Sequence, residues 1–473
     1  MKNFKRILAL VLALVMLFAF AGCNNEPEWE SYYSVYEEVE GGEQNNNSTK
    51  TESDSDDTVV IQNNNNNGNS SSGKGDEDKS SLNVPAELRG TTIKILSYNP
   101  ISEISGGQKV IDNFTKETGI KVKWIRASYD SYDTEIAAYV AGGNSPDIVY
   151  LNHFVLSRMK NMQPISCTGY DFSDTSVWDA KTMDAYSING KAYAIHLNPS
   201  LTLFQQPQVL FYNKNTIAEY SLEDPYKLWE QGKWNMDTFI KMCRDFKEAS
   251  GQKPWSPQEC WDYLNYMNLQ GVLNFDGKTV SEAASNPKVV TALQQQATWR
   301  QEGLQGDYLN VNGVVDGTGL FVSWNYGTAR SSNSYLKSLK SNGSLGIVPA
   351  PSIPGQDKYY TYMSEYEGYA IPKGAKNSKA VPYFLRYFLD KTNYAQNSFF
   401  ASKDAIKIYD YLMSQERVIS TRFLNGMSGK SEEYTEKLRG SAPAQIQTIV
   451  SSYSSIFKDI ASELNKTIKN DFK

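Results

Sequence analysis

The chain has only two histidines and four cysteines in 473 residues, and that scarcity narrows its chemistry. His153 and His196 are too few for a metal site of two or three histidine ligands, and no His-Glu-x-x-His pair occurs. A Gly-x-Ser-x-Gly elbow is absent as well. Gly426-Met427-Ser428-Gly429-Lys430-Ser431 ends like a phosphate-binding loop, but Leu424 stands where the first glycine is required. There is no basic surplus: the net charge is −6, so a nucleic-acid partner is not expected. Beyond the first 22 residues no segment is apolar enough to cross a membrane. Carboxylates are plentiful, and composition alone leaves a glycosidase pair open. Nothing calls for a cofactor, and a bound metal ion is neither required nor excluded.

What is present begins with an export signal. Lys2, Lys5 and Arg6 precede the apolar run from Ile7 to Phe20, and Ala21-Gly22 precede Cys23. This is the charged, apolar and small-residue order of a signal peptide over residues 1–22. The apolar run is too short to span a bilayer, which takes roughly 20 residues. Small residues before Cys23 resemble the lipobox of bacterial lipoproteins, in which the cysteine is lipidated and becomes the new N-terminus. Phe20 departs from the leucine usual there, and an ordinary secretory signal with an incidental cysteine is the alternative.

Residues 23–90 contain Asn45-Asn46-Asn47, the run Asn63 to Asn67, and Ser70-Ser71-Ser72-Gly73. From Asn24 to Gly90 there are 15 Asp/Glu against 4 Lys/Arg. Such a composition cannot bury enough apolar surface to offset chain entropy, so an acidic, disordered tether is expected. As a flexible coil it would reach roughly 45 Å. The remaining body, Thr91 to Lys473, is near +2 and long enough for two domains. It keeps Cys167, Cys243 and Cys260, which lack metal-ligand spacing. They allow at most one bridge and read as small core residues.

The body opens with a strand, Ile93-Lys94-Ile95-Leu96, and a helix carrying Val110, Ile111 and Phe114 that Gly119 should stop. Ile120 to Trp124 alternates as a second strand, a helix covers Thr134 to Val140, and Asp147 to Leu151 is a third strand. Strands alternating with helices imply a parallel sheet with helices on its faces. Ligands of such sheets sit at the carboxyl ends of the strands. Here those ends offer Tyr98 and Asn99, then Ser128, Tyr129 and Asp130, then Asn152 and His153.

Six short motifs then stand in one order. They are Lys116-Glu117-Thr118-Gly119-Ile120-Lys121-Val122 with Gly143-Asn144-Ser145-Pro146-Asp147-Ile148-Val149, Asn189-Gly190-Lys191-Ala192-Tyr193-Ala194-Ile195, and Val209-Leu210-Phe211-Tyr212-Asn213-Lys214. Trp234-Asn235-Met236-Asp237 and Gly368-Tyr369-Ala370-Ile371-Pro372, with Asn377-Ser378-Lys379-Ala380 after it, complete the series. Each is weak alone. Together, across Thr91 to Leu389, they resemble the extracellular solute-binding proteins (family 1, sugar-type) of bacterial ABC importers. The resemblance implies an α/β fold of the two-lobed, periplasmic-binding-protein-like type II, with one ligand cleft between lobes joined by crossing strands. Lobe 1 would cover 91–200 with about 362–400, and lobe 2 would cover 201–361 with about 401–473.

The resemblance also points to ligand-binding residues. The family ends one lobe-2 strand with an aromatic that stacks on the sugar. In Leu320-Phe321-Val322-Ser323-Trp324-Asn325-Tyr326-Gly327, Tyr326 holds that position, and Trp324 takes it if the register slips. Aromatic faces suit sugars because they give large contact area at low entropy cost. Glu365-Tyr366-Glu367 replaces the family's small residues, so Tyr366 and Glu367 either meet a polar ligand or form a solvated loop. Trp261, with Tyr263 and Tyr266, falls on an expected helix, where aromatic spacing usually means core. The implied function is not enzymatic. It is a lipid-anchored, monomeric receptor that captures a solute, a carbohydrate or oligosaccharide above all, and delivers it to an ABC permease. A non-transport surface sensor or glycan-binding adhesin on the same fold is the alternative, and the identity of the solute is not written in these residues.

Overall fold

A computed structural model describes residues 82–329, 335–394, 402–426 and 429–473, apart from the side chains of Ser364 and Glu365. The chain divides into the units Met1–Asp76 and Glu77–Lys473. The signal peptide, Cys23 and most of the expected tether lie outside the described residues. Folded structure begins before the expected residue 91. Ala86–Leu88 forms a 3-10 turn, Leu88 is buried, and the Gly90 amide donates to the Gly119 carbonyl at 2.8 Å. Leu82, Val84 and Leu88 supply apolar contacts that the acidic sequence before them lacks.

Strands β1 (Thr92–Ser97), β2 (Lys121–Arg126) and β3 (Ile148–Leu151) pair in parallel in the order β2-β1-β3. Between β1 and β2, the helix Gly107–Thr118 buries Val110, Ile111 and Phe114. It stops at Gly119, whose φ of 73° is a conformation glycine adopts without strain. β2 is the edge, and its exposed Lys121, Lys123 and Arg126 guard it against further strand pairing. β4 (Met162–Gln163), the hairpin β5 (Ser187–Ile188) to β6 (Lys191–Ala192), and β7 (Ala194–Ile195) complete this part of the chain.

The chain then enters a second sheet through β8 (Gln206–Asn213), every residue of which is buried. β9 (Trp255–Ser256), the hairpin β10 (Leu273–Phe275) to β11 (Val280–Glu282), β12 (Phe321–Asn325), β13 (Leu345–Pro349) and β14 (Tyr360–Glu365) follow. β8 is central because both its edges are used, by β12 on one side and by β13 and β14 on the other. β13 approaches so closely that a Cβ on Gly346 would fall 2.2 Å from the Tyr212 ring. The helix Met236–Ser250 packs Phe239, Cys243 and Phe246 into a core with Leu210, Tyr212 and Phe321. It starts at Asn235, whose Oδ1 accepts from the Thr238 amide at 3.0 Å.

β15 (Gly368–Pro372) returns to the first sheet, antiparallel to β3, β4 and β7, and β16 (Glu416–Ile419) ends the second sheet beside β14. The return crossing therefore comes after Glu365, later than residue 361, because β14 is still paired to β8 up to that point. The result is two sheet-centred α/β lobes. Cys243 and Cys260 are buried, Cys167 is half-buried, and all three are free. No helix among the described residues is long and apolar enough to cross a membrane.

Candidate functional site

Four tyrosines converge at the carboxyl ends of β1 to β3. The ring of Tyr98 meets those of Tyr129, Tyr132 and Tyr150 edge-on, at 5.0, 5.3 and 5.5 Å. This geometry is favoured by the aromatic quadrupole. Tyr132 Oη donates to the Leu96 carbonyl (2.8 Å) and accepts from the Tyr150 amide (3.1 Å), which locks the group to the sheet. Arg158 stands over the Tyr132 ring at 5.3 Å, pairs with Asp133 at 2.5 Å and donates to Asn152 Oδ1 at 3.1 Å. Tyr98 and Tyr129 are half-buried, so this wall keeps an open side, and Asp130 beside it is exposed. Asn99 contributes its backbone here: its carbonyl accepts from Trp124 Nε1 at 3.0 Å.

The crossing segment joins this group. Tyr366 donates its amide to the Asn152 carbonyl at 3.0 Å, and its own carbonyl accepts from Tyr186 Oη at 2.6 Å. Glu367 is 3% exposed and accepts from Tyr150 Oη at 2.9 Å and from Gln206 Nε2. Of the two readings of Tyr366 and Glu367, the solvated loop is corrected: both are buried, tied to Asn152 and Tyr186 and to Tyr150 and Gln206 respectively.

Tyr326 is a second correction. β12 runs on through Trp324 and Asn325, and Tyr326 opens a 3-10 turn that rotates its ring back into the interior. It is fully buried, its Oη donates to the Ala405 carbonyl at 2.8 Å, and its ring lies 5.2 Å from that of Tyr409. Trp324, one residue before Asn325 and paired across to Val209, stays half-buried, with its ring 6.1 Å from the exposed Tyr335.

His153 and Trp261 face each other across a four-member stack. The half-buried His153 ring lies 4.3 Å from that of Phe423, tilted by 38°. The Arg422 guanidinium carbon is 4.7 Å from the Phe423 ring and 5.1 Å from the Trp261 ring. Burial first, then the Arg158 and Arg422 charges, hold the His153 pKa down to about 3, so the imidazole is neutral. Arg422 is charged and held by Glu259 at 2.5 Å and Glu432 at 2.8 Å. Nearby, fully buried Asp262 accepts from Gln208 Nε2 (3.2 Å) and from the amides of Gln258 (2.9 Å) and Glu259 (3.1 Å). Burial pushes its carboxyl up to about 7 despite these bonds.

The structure thus brings Tyr98, Tyr129, Asn152, Tyr366 and Glu367 into one network, and His153 and Trp261 into one stack. Sequence reasoning missed Tyr132, Tyr150 and Arg158 in the first, and Arg422 and Phe423 in the second. Tyr150 stood in the strand already assigned, two residues before Asn152, and Tyr132 stood two residues after Asp130, just before the assigned helix, which in fact begins at Tyr132. Arg422 and Phe423 had no periodic signal. A surface cavity of about 470 Å³ on the second lobe, lined by Trp229, Tyr359, Lys407 and Tyr411, shares no residue with either group.

Residues 100–395 match the bacterial extracellular solute-binding proteins. The chain belongs to this family. It is a binding protein, not an enzyme. No curated protein matches the chain in sequence. Among solved structures, the sugar-binding protein MalE of Xanthomonas citri is similar with a TM-score of 0.60 at 13% identity, over 80% of this chain and 100% of its own. The galacto-N-biose/lacto-N-biose I-binding protein of a Bifidobacterium longum ABC transporter gives 0.59 at 15%, over 80% and 98%. The GacH receptor of Streptomyces glaucescens gives 0.53 at 14%, over 80% and 99%. At such identities the similarity establishes the two-lobed fold of the family, and the site rests on this chain's own geometry.

Proposed function

We propose that this solute-binding protein is a lipid-anchored, monomeric receptor on the outer face of a bacterial cytoplasmic membrane. It captures a carbohydrate or oligosaccharide between its lobes and delivers it to an ABC permease. The observation that carries the solute class is the tyrosine wall at the ends of β1 to β3, with buried Asn152, Arg158 and Glu367 as polar partners. Flat rings cover the C–H faces of a sugar, and the polar groups meet its hydroxyls. The similar structures named above include receptors for sugars, which supports the same class here.

Closure of two lobes on one solute gives contacts made only in the closed state, so binding shifts a hinge equilibrium. A thermal-shift screen of mono- and oligosaccharides tests the class. A solute at 100 times its Kd stabilises the native state by about 2.7 kcal/mol, a clear rise in Tm. A flat screen across neutral and charged sugars, with a shift for amino acids or peptides instead, would overturn it.

Trp324 takes the stacking role on the second lobe, since it remains half-buried at the end of β12. A stacked ring contributes roughly 1–3 kcal/mol by analogy with base stacking. Trp324→Ala is therefore expected to weaken binding about 5- to 150-fold while the denaturant midpoint changes little. Titration calorimetry on the variant checks this.

The anchor has its own test. Cys23→Ser should release the protein into the medium or leave it unprocessed, and labelled palmitate should no longer be incorporated. Incorporation that persists in the variant would move the lipid elsewhere or remove it from the account.

A further inference from the structure

Residues 420–426 follow β16 as a strap that belongs to neither sheet. On one side the Thr421 amide donates to Gln270 Oε1 at 3.1 Å, and Arg422 is fixed by Glu259 and Glu432 of the second lobe. On the other side the Leu424 carbonyl accepts the Leu156 amide of the first lobe at 3.1 Å, and Leu424 is fully buried. Between these ties, Phe423 and Arg422 fill the space from His153 to Trp261 as a continuous stack. The chain itself thus supplies a ring partner to His153 and a cation partner to Trp261.

Two buried donors are left over, on Arg422 and on the residue before His153. Asn152 Nδ2 and Arg422 Nε are buried and have no hydrogen-bond partner among the described residues, although Asn152 is 1% and Arg422 8% exposed. Buried donors are nearly always satisfied, so donors left over on Arg422, a member of the stack, and on the residue next to His153 point to hydroxyl oxygens that are not part of the protein.

Resting on the receptor function proposed above, we propose that Phe423 holds the place of a solute ring between His153 and the Arg422 guanidinium that rests on Trp261. A neutral, hydroxyl-bearing ring of pyranose size enters by displacing it. Arg422 stays, since two carboxylates hold it, and presents its free Nε–H together with Asn152 Nδ2 to the incoming hydroxyls. Phe423 leaves, since no hydrogen bond holds its ring.

The test uses the full chain carrying Phe423→Ala or Phe423→Leu. Leucine keeps apolar bulk and so guards against a folding defect, but it lacks the flat face. The first readout needs no solute: hydrogen exchange at the Leu156 amide, which is bonded to the strap. Loss of the stack should speed it about 2- to 12-fold in both variants. The second readout is calorimetry with maltotetraose and lacto-N-biose, where removing the competing ring should tighten binding by the same 2- to 12-fold. Unchanged exchange would overturn the proposal. So would weaker binding, because Phe423 would then be a contact rather than a competitor. If the wild type binds no sugar at all, the receptor function fails, while the exchange readout still decides the strap.

Discussion

Asp179→Ala is expected to destabilise the protein by about 3–5 kcal/mol, the cost of leaving a buried charge unpaired. Asp179 caps the helix Ala180–Ala185 beside the first sheet, and Arg417 lies on β16 of the second. Their side chains are 4% and 3% exposed and pair bidentately, Nη1 to Oδ2 at 2.5 Å and Nη2 to Oδ1 at 2.6 Å. Removal of the carboxylate strands the guanidinium in the interior and also cuts a tie between the lobes. Burial alone would raise the Asp179 pKa, but the Arg417 hydrogen bonds and charge, helped by Thr182, outweigh it and hold the carboxyl below its usual value. A depressed folded pKa contributes stability that is present above the unfolded value near 3.9 and is lost as pH falls through the folded one. Wild type should therefore lose part of its stability below about pH 4, and Asp179→Ala should lack that component. Replacing both partners with apolar residues, Asp179→Leu with Arg417→Met, should recover most of the loss, since a packed apolar pair often equals a buried ion pair. Denaturant unfolding of the two singles and the double completes the cycle; a double variant as unstable as the singles would contradict the pairing.

Tyr326→Ala should cost a similar amount, about 3–5 kcal/mol, but for a different reason. It opens a cavity beside Tyr409 and removes the hydrogen bond to the Ala405 carbonyl. Tyr326→Phe keeps the ring and loses only the hydrogen bond, so roughly 1 kcal/mol is expected. A shifted denaturant midpoint with an unchanged m-value checks both, because the fold itself should persist. Solute affinity of the alanine variant should stay within a few-fold of wild type under native conditions. Weakened affinity at full stability would put Tyr326 back in the cleft and take the stacking role from Trp324.

The contrast between these residues shows what the sequence could carry. Gly119 was legible because helix ends are local: a left-handed glycine acts on neighbours a few residues away. Strands β1 to β3 were legible because alternation and short apolar runs are local too. Tyr326 was misplaced because β12 ends at Asn325 and a 3-10 turn begins at Tyr326, and no composition signal marks that turn. The Asp179–Arg417 pair joins residues 238 positions apart, and the His153–Phe423 contact joins two lobes. Neither leaves a pattern in the chain, since such partners are chosen by the crossing of the lobes. The tyrosine wall was half visible: the strand ends gave Tyr98 and Tyr129, while Tyr132 and Tyr150 turn inward to meet them.

The central claim is that the two lobes bind one carbohydrate solute without altering it. Isothermal titration of the full chain with a panel of neutral oligosaccharides measures this most directly. One member of the panel should bind with a stoichiometry of one and a micromolar Kd, about −8 kcal/mol. It should be recovered intact, and Trp324→Ala should weaken it. No binding heat from any sugar, or release of shorter sugars during the titration, would contradict the account.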